Sequence, residues 1–382
     1  MKFAHLGDCH LGGWRQPELK DLNLKSFQYA ISKCILEKVD FVLIAGDLFD
    51  SAYPPIETLK ETFFEFKRLK EANIPAFIIA GSHDYSVSGK TFLDVLEKAG
   101  LCRNLSRYEE RENMILLSPT IFKNAALYGY SGKKSSLEID DIQRMKLQDA
   151  PGMFKILMLH TAIRDAIGTL PIEAVNEREL PIVDYLALGH LHINYQKGNR
   201  TYSGPIFPNN LSELEELRFG QFYLFDNGRI SKQEIKLKEI VIIEKQINNA
   251  LFAADEILSE ISKLNVSDKI IILKLSGILE QGKTSDINFQ KIELEAKKRG
   301  AYCIIRSISK VRLPEPEIKL DYLNTDQLES QIIKSFEEKN PSRFNVFIKE
   351  LSKVLQVEKL EDERSSIFED RLISETKRVL EL

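Results

Sequence analysis

The sequence predicts an α/β fold, and three observations carry that expectation. Apolar runs of strand length recur through the first 190 residues, each ending in a turn that holds an acid or a histidine. Segments with helical periodicity separate the early runs, and strands alternating with helices are the mark of an α/β sheet. After residue 235 a compact strand, helix, strand, helix, strand unit follows that contains none of the histidines.

Taken in order, Lys2 to about Gly12 is a short apolar segment closing in a turn, with a helix expected from about Leu24 to Glu37. "VDFVLIAGDLFD" reads as a buried strand running into a glycine turn. "PPIETLKETFFEFKRLKEANI" is a helix opened by proline, and "PAFIIAGSHDY" is a second buried strand ending in glycine. "FKILMLH" and "DYLALGH" are apolar strands whose last residue is a histidine. In the later unit, strands "EIVIIEKQI", "KIIILKLSG" and "AYCIIRSIS" enclose helices near Asn249–Leu264 and Asp286–Arg299. "RLPEPEIKLDYL", with two prolines and two glutamates, has the composition of a linker. Beyond it Phe344, Phe347, Ile348, Leu351 and Leu355 share one helical face. The expected division is 1–235, 236–312 and 313–382.

At 382 residues with 43% hydrophobic content, the chain is long enough for two or three domains. A formal charge of −4 does not announce a nucleic acid or membrane partner. Cys9, Cys34, Cys102 and Cys303 are scattered without a C-x-x-C pair, which argues against a disulfide framework or zinc knuckle and fits a reducing cytoplasm. No run reaches the length of a membrane span, and Asp8 interrupts any signal-like start, so a cytoplasmic protein with no membrane partner is expected.

Chemistry concentrates at the strand ends, where α/β sheets gather ligands. They supply Asp8 and His10 from "GDCH", Asp47 and Asp50 from "GDLFD", Ser82 and His83 from "GSHD", His160 from "MLH", and His190 with His192 from "GHLH". Only His5 of the six histidines stands apart. If "GHLH" is extended, alternation sends His190 and His192 to the same face, where both rings reach one point. Mixed carboxylates and imidazoles suit two divalent cations, and a carboxylate such as Asp47 can bridge a pair about 3.5 to 4 Å apart. Such a pair makes hydroxide at neutral pH and neutralises a phosphoryl group, so phosphoester hydrolysis is the matching reaction. Cys9 alternates away from its neighbours and reads as packing, His5 as structural, and Asp84 as either a support or a turn former. Lys90, Arg164 and Lys133 with Lys134 are possible phosphate contacts.

In their order and strand context, the motifs D-x-H, G-D-x-x-D, G-x-H-D, a lone H and G-H-x-H resemble the calcineurin-like metallophosphoesterases. "GDCHLG", "GDLFDSAYPP", "GSHDYSVSGKTFLDVLEKAGL" and "YLALGHLHINY" more closely resemble the SbcD nucleases of the meiotic recombination eleven family, over roughly the first 230 residues. The resemblance implies a four-layer α/β/β/α sandwich with a small α/β capping domain and a helical tail. It implies two Mn²⁺ ions, one held by Asp8, His10, Asp47 and His192, the other by Asp47, His160 and His190. It makes His83 the residue that faces the scissile phosphate and protonates the leaving 3′ oxygen, with Asp50 orienting it. Implied activities are 3′ to 5′ exonuclease on duplex ends and endonuclease on single strands. The implied partners are DNA, an SMC-like coiled-coil ABC ATPase gripped by the tail, and a second copy joined through helices such as "IETLKETFFEFKRL" and "TFLDVLEKAGL".

This sequence departs from the pattern at Ser82, where the superfamily carries an Asn whose amide oxygen binds the second ion; serine is the shorter, weaker ligand there. Asp50 stands where close relatives often have His, yet it matches the wider superfamily. Two other readings stay open: a metallophosphoesterase acting on other phosphoesters, or a scaffold for DNA or the ATPase whose second metal site has weakened through Ser82.

Overall fold

The computed structural model describes all residues except 87–88, 90, 134–136, 169–170, 315–332, 335, 338–341, 343, 358, 360–364 and 381–382. It divides into two compact units, Met1–Arg312 and Leu313–Leu382.

Two six-stranded sheets form the centre of the first unit. One comprises β1 (Lys2–Leu6), β2 (Phe41–Ala45), β3 (Ala76–Ile79), β4 (Arg103–Asn104), β14 (Gly220–Asp226) and β15 (Arg229–Ile235), in the order β15-β14-β1-β2-β3-β4. β1 to β4 run parallel, and β14 and β15 close one edge antiparallel. The other comprises β7 (Thr120–Phe122), β8 (Ala125–Tyr130), β10 (Phe154–His160), β11 (Tyr185–Gly189), β12 (Tyr195–Lys197) and β13 (Arg200–Tyr202), in the order β12-β13-β11-β10-β8-β7. Its four inner strands are parallel and both edges antiparallel.

Period-two alternation assigns each strand's side chains to two cores. Phe3, Phe41, Leu43, Phe77 and Ile79 meet Leu127, Ile156, Met158 and Tyr185 between the sheets. Ala4, Leu6, Val42, Ile44 and Ile78 face outward onto α1 (Pro17–Leu36), α2 (Ile56–Glu71) and α3 (Phe92–Lys98). The outer face of the second sheet is covered by α4 (Glu138–Gln143), α5 (Arg164–Ile167) and a small sheet of β5 (Tyr108–Arg111), β6 (Met114–Leu117) and β9 (Met145–Leu147). The layers are therefore α/β/β, with a fourth of short helices and short strands. α1 begins seven residues before the expected Leu24, because Pro17 at its first turn starts the helix while its apolar stripe starts later.

α6 (Leu211–Leu217) leads into β14 and from there to a parallel three-stranded sheet of β16 (Ile240–Gln246), β17 (Ile270–Ile278) and β18 (Cys303–Arg312). α7 (Ala250–Ser262) and α8 (Phe289–Lys298) bury one face of that sheet. Its other face is not free: Ile270, Ile272, Cys303 and Ile305 pack on Trp14, Leu19, Leu22, Phe207 and Leu214. This subdomain therefore shares a core with the N-terminal sandwich. All four cysteines are buried thiols.

In the second unit, α9 (Ile348–Leu355) and α10 (Ser365–Val379) are the main helices, and no described residue is buried. Among the described residues, no helix is long and apolar enough to cross a membrane.

Candidate metal centre

The carboxyl ends of β1, β2, β3, β10 and β11 bring their polar residues into one cluster, and the backbone there bends sharply. Asp8, His10, Asp47 and His190 all have positive φ, at 50, 42, 48 and 95°. Non-glycine residues enter this region only when their surroundings force them, at a cost of roughly 1 to 3 kcal/mol each. Here paired loops do the forcing: Asp8 N–H donates to Gly46 O at 3.1 Å and His10 N–H to Asp47 O at 3.0 Å. Gly46 is required, since its φ is 86° and a Cβ there would lie 2.2 Å from His160 Nδ1.

Three groups of side chains have ligand atoms lying within 4.8 Å of one another: Asp8 with His10 and His192, Asp8 with Asp47 and His160, and His10 with Asp50 and His83. Asp8, His10, Asp47 and His160 are buried, His190 and His192 are half-buried, and His83 is exposed. The Nε2 atoms of His10 and His192 face each other at 3.0 Å. His160 Nε2 lies 3.2 Å from Asp47 Oδ2, and Asp47 Oδ2 is 3.8 Å from His10 Nε2. Asp47 thus stands between the two sets of imidazoles.

The tautomers are set from outside the pocket. His160 Nδ1–H donates to Ala45 O at 2.9 Å, and His192 Nδ1–H donates to Glu213 Oε1 at 2.8 Å. Each ring therefore turns Nε2 inward, the arrangement of a histidine that binds metal through that atom. Asp8 Oδ2 is buried without a hydrogen-bond partner in the protein. Two facing imidazole nitrogens repel unless a proton or cation lies between them, and 3.0 Å suits two donors at right angles around one ion with bonds of about 2.1 Å.

Charge points the same way. Burial alone would push the Asp47 carboxyl up, but His160, His10 and His83 more than reverse this and hold it well below the usual carboxylate range. Burial likewise lowers His160, yet Asp47 and Asp8 raise it to about 10. A pocket that draws a proton onto a buried imidazole favours positive charge, and a divalent cation meets that demand. The donor set of carboxylates and imidazoles fits such ions.

Several expectations need adjustment. His190 and His192 do not share the face of a strand, because β11 ends at Gly189 and the chain bends with His190 in a left-handed conformation. His192 goes to His10, with ring centroids 4.8 Å apart, and His190 goes to His160, at 5.2 Å. The Asp50 carboxylate turns to His10, with Oδ1 3.3 Å from Nδ1, while His83 Nδ1–H donates to the Asp50 backbone carbonyl at 2.8 Å. Asp50 therefore contacts His83 through its main chain. Ser82 is half-buried in the turn before His83, whose N–H donates to Asp47 Oδ1 at 2.8 Å.

Asp84 ties two loops together by accepting from Gly81, Leu48 and Phe49 N–H groups. Cys9 is fully buried, and its thiol is pushed well above its ordinary value by burial and then by Asp8, consistent with packing. His5 bonds to Tyr185 between the sheets, 3.0 Å from its hydroxyl. Lys133 pairs with Asp141, and Lys90 and Lys134 lie outside the described residues.

The calcineurin-like phosphoesterase family profile matches residues 1–194, just over half of the chain. The chain belongs to that family. Its members are metallophosphoesterases that use divalent ions, and every site residue expected from the sequence lies inside the matched segment. Relatives include the "DNA double-strand break repair protein Mre11" of Methanosarcina mazei, 28% identical over 353 residues, covering 86% of this chain and 53% of that protein. The proteins of the same description from Archaeoglobus fulgidus and Methanocaldococcus jannaschii are 26% and 28% identical, each match covering 78% of the relative and 79% and 78% of this chain. The chain spans about half the length of the Methanosarcina relatives it matches.

Glu213 escaped the sequence reading and lies beyond the matched segment. A signal was present: Asn210 and Glu213 have the spacing of a capping pair at a helix start. Asn210 caps α6, but the Glu213 side chain continues past the helix to His192.

Proposed function

We propose that this protein is a divalent-metal-dependent DNA nuclease of double-strand-break repair, a 3′ to 5′ exonuclease on duplex ends and an endonuclease on single strands. The inward-turned Nε2 pair of His10 and His192, next to buried Asp8, Asp47 and His160, carries the metal part of the reading. Similarity to archaeal repair proteins over most of this chain supports DNA as the substrate.

In this reading Asp8, His10, Asp47 and His192 hold one Mn²⁺ ion, and Asp47, Ser82, His160 and His190 hold the other. Bound ions supply a hydroxide at neutral pH and neutralise charge on the phosphoryl group. The chain's own residues do the rest. Asp8 and Asp47 set the negative charge of the pocket, while Ala45 O and Glu213 hold His160 and His192 in the ligating tautomer. His83 is exposed, and its Nδ1–H is fixed on Asp50 O, so that the ring in its doubly protonated form meets the phosphate with Nε2–H and passes that proton to the leaving 3′ oxygen, ending as the neutral Nδ1–H tautomer. Residues 1–235 act as the nuclease domain, 236–312 as a capping and DNA-recognition domain, and 313–382 as the linker and helical segment for an SMC-like ABC ATPase. The active form is a homodimer in the cytoplasm.

The test is incubation of purified protein and Mn²⁺ with end-labelled linear duplex. Progressive shortening from 3′ ends is expected. Intact DNA beside rapid hydrolysis of a small phosphodiester would assign the site to another substrate class.

A further inference from the structure

We propose that Glu213 is a positioning residue for the first metal ion, acting through His192, and that this support is a side chain at one ion and backbone at the other. The inference rests on the metal reading above.

His192 sits on a loop of bends after β11, so no regular backbone fixes its ring. Its Nδ1 is 2.8 Å from Glu213 Oε1. A carboxylate only accepts hydrogen bonds, so Nδ1 must carry a proton, and in the neutral ring Nε2 presents its lone pair toward His10. Glu213 is itself held firmly: Asn209 N–H donates to Oε2 at 2.8 Å, and Asn210 Nδ2 donates to Oε1 at 2.6 Å. The helix beneath it is anchored by Leu214, which is fully buried. Asn209 also reaches the other ring of the pair indirectly, since its Nδ2 is 3.4 Å from Asp50 Oδ1, which faces His10. The first turn of α6 therefore stands behind both imidazoles of one ion.

At the second ion the equivalent hydrogen bond runs from His160 Nδ1 to Ala45 O, a main-chain acceptor that no substitution removes. This difference makes the proposal site-specific. Changing Glu213 should weaken one ion and leave the other as it was.

Two conservative variants separate reach from charge. Glu213→Asp keeps the charge but withdraws the acceptor by one methylene; Glu213→Gln keeps the reach and an acceptor oxygen but loses the charge. Mn²⁺ uptake is followed by calorimetry and by the paramagnetic resonance signal of free Mn²⁺, with thermal melts in chelator to confirm that each variant folds. Glu213→Asp should weaken one of two sites by roughly 10- to 100-fold, the usual effect of losing such a partner, whereas Glu213→Gln, which keeps an acceptor oxygen for His192 but sets its NH2 against the Asn209 N–H, should weaken that site distinctly less. Unchanged binding in Glu213→Asp, or a loss in Glu213→Gln as large as in Glu213→Asp, would overturn the positioning role. Wild-type protein that takes up no Mn²⁺ would overturn the metal reading itself.

Discussion

Replacing Asp47 by Asn should remove most of the thermal stabilisation that metal ions give this protein. Asp47 approaches imidazoles of both sets, with Oδ2 3.2 Å from His160 Nε2 and 3.8 Å from His10 Nε2. An ion at 100 times its dissociation constant stabilises the folded state by about 2.7 kcal/mol, so two ions contribute about 5 kcal/mol. Unfolding the 312-residue first unit carries an entropy of about 2.1 cal/mol/K per residue, or about 0.65 kcal/mol/K in total. Saturating Mn²⁺ should therefore raise the melting temperature of the wild type by about 8 °C over its value in chelator. If the Asp47→Asn variant weakens each ion about 100-fold, the same Mn²⁺ concentration adds only about 0.8 kcal/mol and about 1 °C. Differential scanning calorimetry measures both shifts directly. A shift in Asp47→Asn equal to that of wild type refutes the placement of Asp47 between the ions, and a wild type indifferent to divalent ions refutes the centre.

Three further outcomes are expected. His83→Gln should leave the Mn²⁺-induced shift intact while phosphodiester hydrolysis falls roughly 10²- to 10⁴-fold, since His83 is exposed and held on Asp50 O outside the buried cluster; loss of the shift as well would make His83 a ligand. Ser82→Asn lengthens the neutral side chain at the pocket's edge and should tighten one of the two ions in a Mn²⁺ titration; identical isotherms would remove Ser82 from the ligand set. His5 provides a pH test, because burial lowers it from 6.5 to about 3. The buried neutral form therefore contributes stability that is complete above pH 6.5 and is lost as pH falls toward 3, about 2 kcal/mol of it between pH 8 and pH 5. Urea unfolding at those two pH values should show a smaller difference in His5→Phe than in wild type, and equal differences would place the acid sensitivity elsewhere.

Much of the site was legible because its chemistry is encoded locally. Each of "GDLFD", "GSHD" and "MLH" couples an apolar run, fully buried in β2, β3 and most of β10, to polar residues at its end, and a parallel sheet brings such ends together. What the sequence hid depends on contacts between distant segments. Period-two alternation gave the wrong reason for pairing His190 with His192, since Asp8 accepts the His190 N–H at 2.8 Å and the bend that follows separates the rings. Strands β5, β6 and β9 are only three or four residues long, too short for a periodic signal. The later subdomain read as self-contained because its own helices satisfy one face of its sheet; the contact of Ile270 and Ile272 with Trp14 and Leu22 has no local trace.

The left-handed conformations of Asp8, His10, Asp47 and His190 say how the fold and the site depend on each other. Together they store roughly 4 to 12 kcal/mol of strain, comparable with the whole stability of an ordinary domain. That strain persists because the strands before these turns are locked in a core between two sheets, with Phe3, Phe41 and Tyr185 buried to within 1% of complete. A softer scaffold would let the turns relax and the ligands disperse. Protein groups fix the cluster's geometry: Ala45 O and Glu213 orient His160 and His192, and the Gly81 and His83 N–H groups hold Asp84 and Asp47.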